Sequence, residues 1–168
     1  KQSELALQES EATSRALINA PTDSVLLLDA RGVILDLNNI AAERFGKGIG
    51  ELVGTCADNS LPEDIAKRRR SLISQIFETG RAVRFEDERE GVWYDTVAYP
   101  ISDKDGAISR LAVIARDITE RKRAEDALRE SEKRLLSITE GSPIPTFVIG
   151  RDHRILYWNR ALEQLSRI

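Results

Sequence analysis

The chain has 168 residues, 41% of them hydrophobic, which is enough to fill a core and excludes global disorder. Its net charge of −3 supplies no basic field for nucleic acid or an anionic membrane. A single cysteine, Cys56, excludes an intramolecular disulfide framework and a multi-thiolate metal site.

In chain order, residues 1 to about 18 read as a helix with Leu7 and Leu17 on one stripe. Residues 25–28 and 33–37 read as strands, joined by a hairpin turn at Asp29-Ala-Arg-Gly32. A short helix follows from Asn38 to Phe45, with Ile40, Ala41 and Phe45 inward and Asn38 as its cap. Glycines 46, 48 and 50 predict short irregular turns. Ser60-Leu-Pro-Glu63 is an N-cap signature for a helix that carries Ile65, Leu72, Ile73, Ile76 and Phe77 and ends near Gly80. Three strands are expected next, at 81–86, 92–101 and 107–116, with a hairpin at Asp103-Lys-Asp-Gly106. Short turns make the last three antiparallel neighbours. One sheet face packs on the middle helices, and a flanking helix is expected to cover the other.

The apolar runs VLLL (25–28) and LAVIA (111–115) are too short to span a bilayer, and no signal peptide is visible. The chain begins at Lys1 without a methionine and stops in a helical pattern, so a piece of a longer cytoplasmic protein is expected.

The strongest signal is internal repetition. Glu4, Ala6, Leu7, Glu9, Ser10, Glu11, Ile34, Leu35 and Asn38 recur as Glu125, Ala127, Leu128, Glu130, Ser131, Glu132, Ile155, Leu156 and Asn159, an offset of 121 (159 − 38) without a gap. Helical bias alone accounts for the first block but not for the strand–turn–strand–Asn block. One whole unit is therefore followed by the opening of a second, which is expected to be marginal by itself.

Between them lies the charged stretch DITERKRAEDALRESEKRLLSI, residues 117–138. Asp117-Ile-Thr-Glu120 fits a capping box where the last strand turns into a helix. Ala124, Leu128, Ser131, Leu135 and Ile138 then recur at alternating spacings of four and three, the a/d seam of a short, weak coiled coil. A single solvated helix held by pairs such as Glu125–Arg129 and Glu130–Arg134 is the alternative. The same stripe at Ser3, Leu7, Ser10, Ser14 and Leu17 favours pairing.

The order of two strands, helices and three strands, the Asn after the second strand, the Asp-Gly hairpin and Asp117-Ile118-Thr119 together resemble a PAS domain. "ERKRAEDAL" is similar to the linkers that join such domains to each other and to transmitters. The resemblance implies an α+β PAS fold: a five-stranded antiparallel sheet with helices on one face, flanked by N- and C-terminal amphipathic signalling helices. The implied layout is a linker helix at 1–18, a PAS domain at 19–119, a coiled-coil-like helix at 120–139, and the beginning of a truncated second PAS domain at 140–168. It also implies signal relay through Asp117, Ile118, Thr119 and Arg121, the last pairing with Asp117, and homodimerisation through Leu7, Leu17, Ala124, Leu128, Leu135 and Ile138.

In this family helices and sheet enclose a pocket whose contents set the chemistry. The one histidine, His153, lies in a turn of the second unit, so histidine-ligated haem is not expected. Val53-Gly-Thr-Cys56-Ala-Asp departs from the Asn-Cys-Arg-Phe-Leu-Gln pattern of flavin–thiol photosensors, so a cysteinyl-flavin is not expected either. The cofactor stays unassigned. Phe77, Phe85, Tyr94, Thr96 and Val113 are the candidate small-molecule contacts, against the alternative of a purely packed core. Lys67-Arg68-Arg69-Arg70 reads as a solvated helix face, without the aromatic platform of a nucleic-acid site, and residues 86–90 as a charged hairpin tip.

No nucleophile–base pair, phosphate-binding loop or metal cluster is visible, so no catalytic or metal residue is assigned. A sensory and dimerisation module, a passive PAS spacer and an enzyme are the three function classes. The first is preferred. The resemblance implies an output domain in the same chain, a histidine kinase before a diguanylate cyclase or chemoreceptor, and neither nucleic acid nor membrane as a partner of this segment.

Overall fold

The computed structural model describes residues 2–20 and 22–166, apart from the side chains of residues 2–8 and 60, so Ser3 and Leu7 of the expected stripe lie outside the described residues. The chain forms two compact units, Lys1–Thr119 and Glu120–Ile168.

The first unit runs α1 (Gln2–Asn19), β1 (Ser24–Asp29), β2 (Ile34–Leu37), α2 (Asn39–Phe45), α3 (Ile49–Leu52), a 3-10 turn (Ala57–Ser60), α4 (Glu63–Thr79), β3 (Val83–Arg89), β4 (Val92–Ser102) and β5 (Ile108–Asp117). It is the expected α+β arrangement, with one antiparallel sheet in the order β2-β1-β5-β4-β3. The chain reaches this order because β5 returns to pair with β1 from Ser24↔Ala115 to Asp29↔Arg110. The β1–β2 turn closes on Asp29, whose carboxylate accepts from the N–H groups of Arg31 and Val33, both at 2.8 Å. Gly32 supplies the positive φ of 78° that this turn requires.

Leu26, Leu28, Ile34, Leu37, Ala41, Leu52, Ile76, Ala98 and Leu111 form one core between the helices and a single sheet face. The opposite face stays open among the described residues: Tyr99 is 47% exposed, and the described side chains of α1 are exposed apart from half-buried Ile18. The described side chains of α1 do not supply the expected cover. Ion pairs of Arg84 with Asp95 and of Arg116 with Asp23 line that face and make it tolerant of water.

Two boundaries also differ. α4 is preceded by Pro62, with Ser60 ending the 3-10 turn before it, so proline's fixed φ rather than a serine cap starts the helix. β3 runs on to Arg89, three residues past its expected end, because its pairing with β4 continues to Arg89↔Val92.

Asn38 joins the pieces. It has no solvent exposure. Its Oδ1 accepts from Val25 N at 3.0 Å and from Ala41 N at 2.9 Å, capping α2 and aligning β1. Its Nδ2 donates to the carbonyls of Ile18 at 3.1 Å and Asp23 at 2.9 Å, holding the end of α1.

The second unit holds α5 (Thr119–Gly141, entered from the first unit), β6 (Phe147–Ile149), β7 (Ile155–Trp158) and α6 (Arg160–Ser166). β6 and β7 pair only with each other, and Phe147, Val148 and Ile149 remain 52%, 47% and 49% exposed. Two strands with both faces open are marginal in water. Among the described residues no helix is long and apolar enough to cross a membrane.

Replacing Asn38 by alanine strands two N–H and two C=O groups in the core. We expect Asn38→Ala to lower the unfolding free energy by about 2–4 kcal/mol. Asn38→Asp should also destabilise, because it keeps the acceptor and loses both donors. Equilibrium urea unfolding measures each.

Candidate functional site

Between the sheet and the helices lies a cavity of about 410 Å3. β1 gives it Leu26 and Leu28, β5 gives Val113, and β4 gives Tyr94 and Thr96 through its inward-facing alternate positions. Three arginines complete the lining, Arg44 from α2, Arg69 from α4 and Arg89 from the end of β3. A deeper recess of about 40 Å3 shares Arg69, Thr96 and Val113 and adds Phe85.

The arginines arrive by ordinary periodicities. Ala66, Arg69, Ile73 and Ile76 form one α4 stripe, so Arg69 points where its apolar neighbours point. Val83, Phe85, Asp87 and Arg89 occupy alternate positions of β3 and therefore share a face. Arg44 is fixed by Nη1, which donates to Ser24 Oγ and the Ala115 carbonyl, both at 2.7 Å.

One buried carboxylate answers these cations. Asp87 is 7% exposed, accepts from Arg69 Nη2 at 3.0 Å, and lies 3.7 Å from Arg89 Nε. The Tyr94 ring has the Arg89 guanidinium 3.9 Å from its centroid and that of Arg44 at 5.0 Å. These are cation–π distances. Even so, Arg69 Nε, Arg89 Nε, Asp87 Oδ1 and Thr96 Oγ1 are buried without a hydrogen-bond partner in the protein. Burial, reinforced by the like charge of Arg69, lowers the Arg89 guanidinium to about 10, so it is still a cation at neutral pH. Glu90 stands exposed at the rim, in the β3–β4 turn.

Of the five expected ligand contacts, Tyr94, Thr96 and Val113 line the main cavity and Phe85 the deeper recess. Phe77 instead packs half-buried against the core. Arg69 corrects the solvated reading of its cluster: Lys67, Arg68 and Arg70 are exposed, but the Arg69 side chain is only 16% exposed. Asp87 and Arg89 correct the hairpin-tip reading of residues 86–90. The two-residue alternation continuing from Val83 and Phe85 was the available signal, masked by charge. Cys56 lies beside Gly32 and lines neither cavity. Among the described residues no group of His, Cys, Asp and Glu could hold a metal ion.

Next to the cavity is the strand-to-helix junction. Asp117 Oδ1 accepts from Thr119 N at 2.9 Å, the first N–H of α5. Ile118, 6% exposed, donates its N–H to Trp93 O at 2.8 Å. Thr119 Oγ1 accepts from Trp93 N at 2.9 Å. Both backbone groups of Trp93 are thus tied to the junction, and the next residue, Tyr94, faces the arginines. Arg121 pairs with Glu125 at 3.0 Å. On α5 Ala124 is exposed, and Leu128, Leu135 and Ile138 are 63%, 62% and 62% exposed; Leu17 on α1 is 68% exposed.

The sequence pattern of the PAS fold family matches residues 19–123, and a PAS domain pattern matches residues 133–168. A domain of an HTR-like protein from Haloarcula marismortui is similar at 28% identity and a TM-score of 0.53, covering 59% of this chain and 100% of that one. A sensory box sensor histidine kinase from Vibrio cholerae shares the fold at 17% identity and a TM-score of 0.53, over 71% of this chain and 98% of that one. The Vibrio cholerae VqmA dimer, described in the context of LuxR-type receptors, shares it at 20% identity and a TM-score of 0.56, over 66% of this chain and 52% of that one.

Removing the one buried counter-charge should be costly. Asp87→Asn is expected to reduce stability by about 3 kcal/mol in equilibrium unfolding, because Arg69 and Arg89 then stay buried and unanswered. Adding Arg69→Met should restore part of that loss.

Proposed function

Because this chain belongs to the PAS family, whose domains are non-catalytic sensing and signalling modules, we propose that it senses and dimerises within a signal-transduction protein and relays changes in its cavity to an output domain. The observation that carries this reading is the double tie of Trp93 to Ile118 and Thr119, one residue from the cavity-lining Tyr94. A displacement of Tyr94 moves the Trp93 backbone, and Trp93 holds the start of α5. Asp117, which caps that start, Ile118 and Thr119 are the relay residues, and Arg121 stiffens the first turn through Glu125.

α5 suits the role of conductor. It buries no residue in the single chain, and its apolar positions follow the a/d spacing of a paired helix. A homodimer through Ala124, Leu128, Leu135 and Ile138 of α5, and through Leu7 and Leu17 of α1, gives the exposed α5 side chains a partner. A short seam containing alanine and serine pairs weakly enough to change its packing. For the output domain we favour a histidine kinase, in keeping with the sensor kinase among the similar structures. The cytoplasm is the proposed compartment, in line with the single free cysteine.

Asp117→Ala and Thr119→Val each remove one bond of the junction. In the intact protein both are expected to uncouple input from output, read as kinase autophosphorylation, while lowering domain stability by only about 1 kcal/mol each. Unchanged regulation in both variants would count against the relay and leave a passive spacer. For the seam, Leu128→Glu with Leu135→Glu should turn a dimer into a monomer in sedimentation equilibrium. A monomer before mutation would remove the paired-helix reading.

A further inference from the structure

The cavity carries more positive charge than its own residues answer. Arg44, Arg69 and Arg89 line it, Asp87 is the one acid buried among them in the described residues, Asp58 of the adjoining recess pairs with Arg70 at 3.5 Å, and Glu90 is solvated at the rim. Arg69 and Arg89 each keep a buried Nε–H with no hydrogen-bonded acceptor, the Thr96 hydroxyl, itself 1% exposed, is likewise unpaired, and so is Asp87 Oδ1, 3.7 Å from Arg89 Nε. Arg69, Arg89 and Thr96 all line the cavity, and buried polar groups are rarely left without a partner. Two guanidinium donors and a hydroxyl outnumber the one carboxylate oxygen, so the partner that answers them accepts hydrogen bonds and carries negative charge. Guanidinium groups recognise planar carboxylates especially well.

The rest of the wall points to the remainder of the molecule. Leu26, Leu28, Phe45 and Val113 are apolar, and a cavity of about 410 Å3 falls within the size range of small-molecule sites. A bare inorganic anion would leave this surface unfilled, whereas a neutral apolar ligand would leave the arginines unanswered. We infer that the cavity binds a small organic carboxylate, its carboxylate held between Arg69 and Arg89 near Thr96, and its apolar body against Leu28 and Val113. Tyr94, packed on Arg89, then registers the ligand through the guanidinium that the carboxylate engages.

The consequence for signalling rests on the sensing role proposed above, but the binding itself does not, and the experiment separates them. The chain is titrated with benzoate, hexanoate and succinate at millimolar concentration, with benzamide and inorganic phosphate as comparisons. Binding is read by calorimetry and by the arginine Nε–Hε resonances. Benzoate or hexanoate is expected to bind and to shift the Arg69 and Arg89 signals, with benzamide weaker by roughly tenfold or more. Arg89→Met, which leaves the Arg69–Asp87 pair in place, should abolish the effect. Arg116→Met, on the outer sheet face, should not. Failure of all three carboxylates overturns the proposal, as does benzamide binding as tightly as benzoate or phosphate binding as tightly as any carboxylate. Carboxylate binding that leaves the output of the intact protein unchanged would uphold the ligand class and sink the relay alone.

Discussion

The buried amide of Asn38 uses its full hydrogen-bonding capacity, two donors and two lone pairs, on four backbone groups from three elements. Aspartate lacks the donors, and glutamine places the same amide one methylene further out. The side chain fixes where α1 ends, where β1 begins and where α2 starts, and β1 in turn sets the register of β5 at the centre of the sheet. Asn159 repeats the arrangement 121 positions on (159 − 38): Oδ1 accepts from Thr146 N and Leu162 N, and Nδ2 donates to the carbonyls of Thr139 and Ile144. Each partner is the counterpart, at the same offset, of one held by Asn38. The conserved spacing between repeats is thus explained by geometry: both units need an asparagine at the point where strand, preceding helix and following helix meet.

With that frame fixed by neutral hydrogen bonds, the cavity can tolerate charge. Buried guanidinium groups do not stabilise a fold well, because desolvation offsets most of the attraction to a single carboxylate. Here the cost falls on Arg69 of α4 and on the end of β3, while Ile34, Leu111 and Ile76, each at most 1% exposed, carry the apolar core. The apolar core and the asparagine hold the domain, and the arginines are free to serve another purpose. On the outer sheet face the Arg84–Asp95 and Arg116–Asp23 pairs likewise place charge away from that core.

Much of the frame was legible because it rests on local patterns: the Asp29 and Asp103 turns, the alternation that turns Tyr94, Thr96 and Ala98 inward, the asparagine caps and the repeat. The site was less legible for a physical reason. Charge in a sequence signals solvent, and only partners distant in the chain turn it inward. Asp87 lies 18 positions from Arg69, and neither residue justifies burial of the other until β3 is laid beside α4. The stripe Ala66–Arg69–Ile73–Ile76 and the β3 alternation carried the directions, but they could be trusted over charge only in pairs. Phe77 shows the reverse error. An aromatic side chain on the middle helix resembles a pocket wall, yet Phe77 lies one residue round the helix from fully buried Ile76 and packs half-buried against the core without lining either cavity.

The junction at Trp93 sits at a mechanically favourable place. Tyr94↔Asp117 is the last pair of the β4–β5 ladder, so the bonds from Trp93 to Ile118 and Thr119 lie beyond the stretch secured by cross-strand pairing on both sides. Each such hydrogen bond contributes about 1 kcal/mol net. Coupling free energies between sites are typically about 1–3 kcal/mol. Breaking or shifting the pair therefore matches the scale of a signal and lies well below the cost of opening the core around Ile76 and Leu111. A ligand that engages Arg89 acts on a ring stacked 3.9 Å away, and that ring is one peptide from the tie. The bonds that hold the start of α5 thus lie one peptide from the ring packed on Arg89.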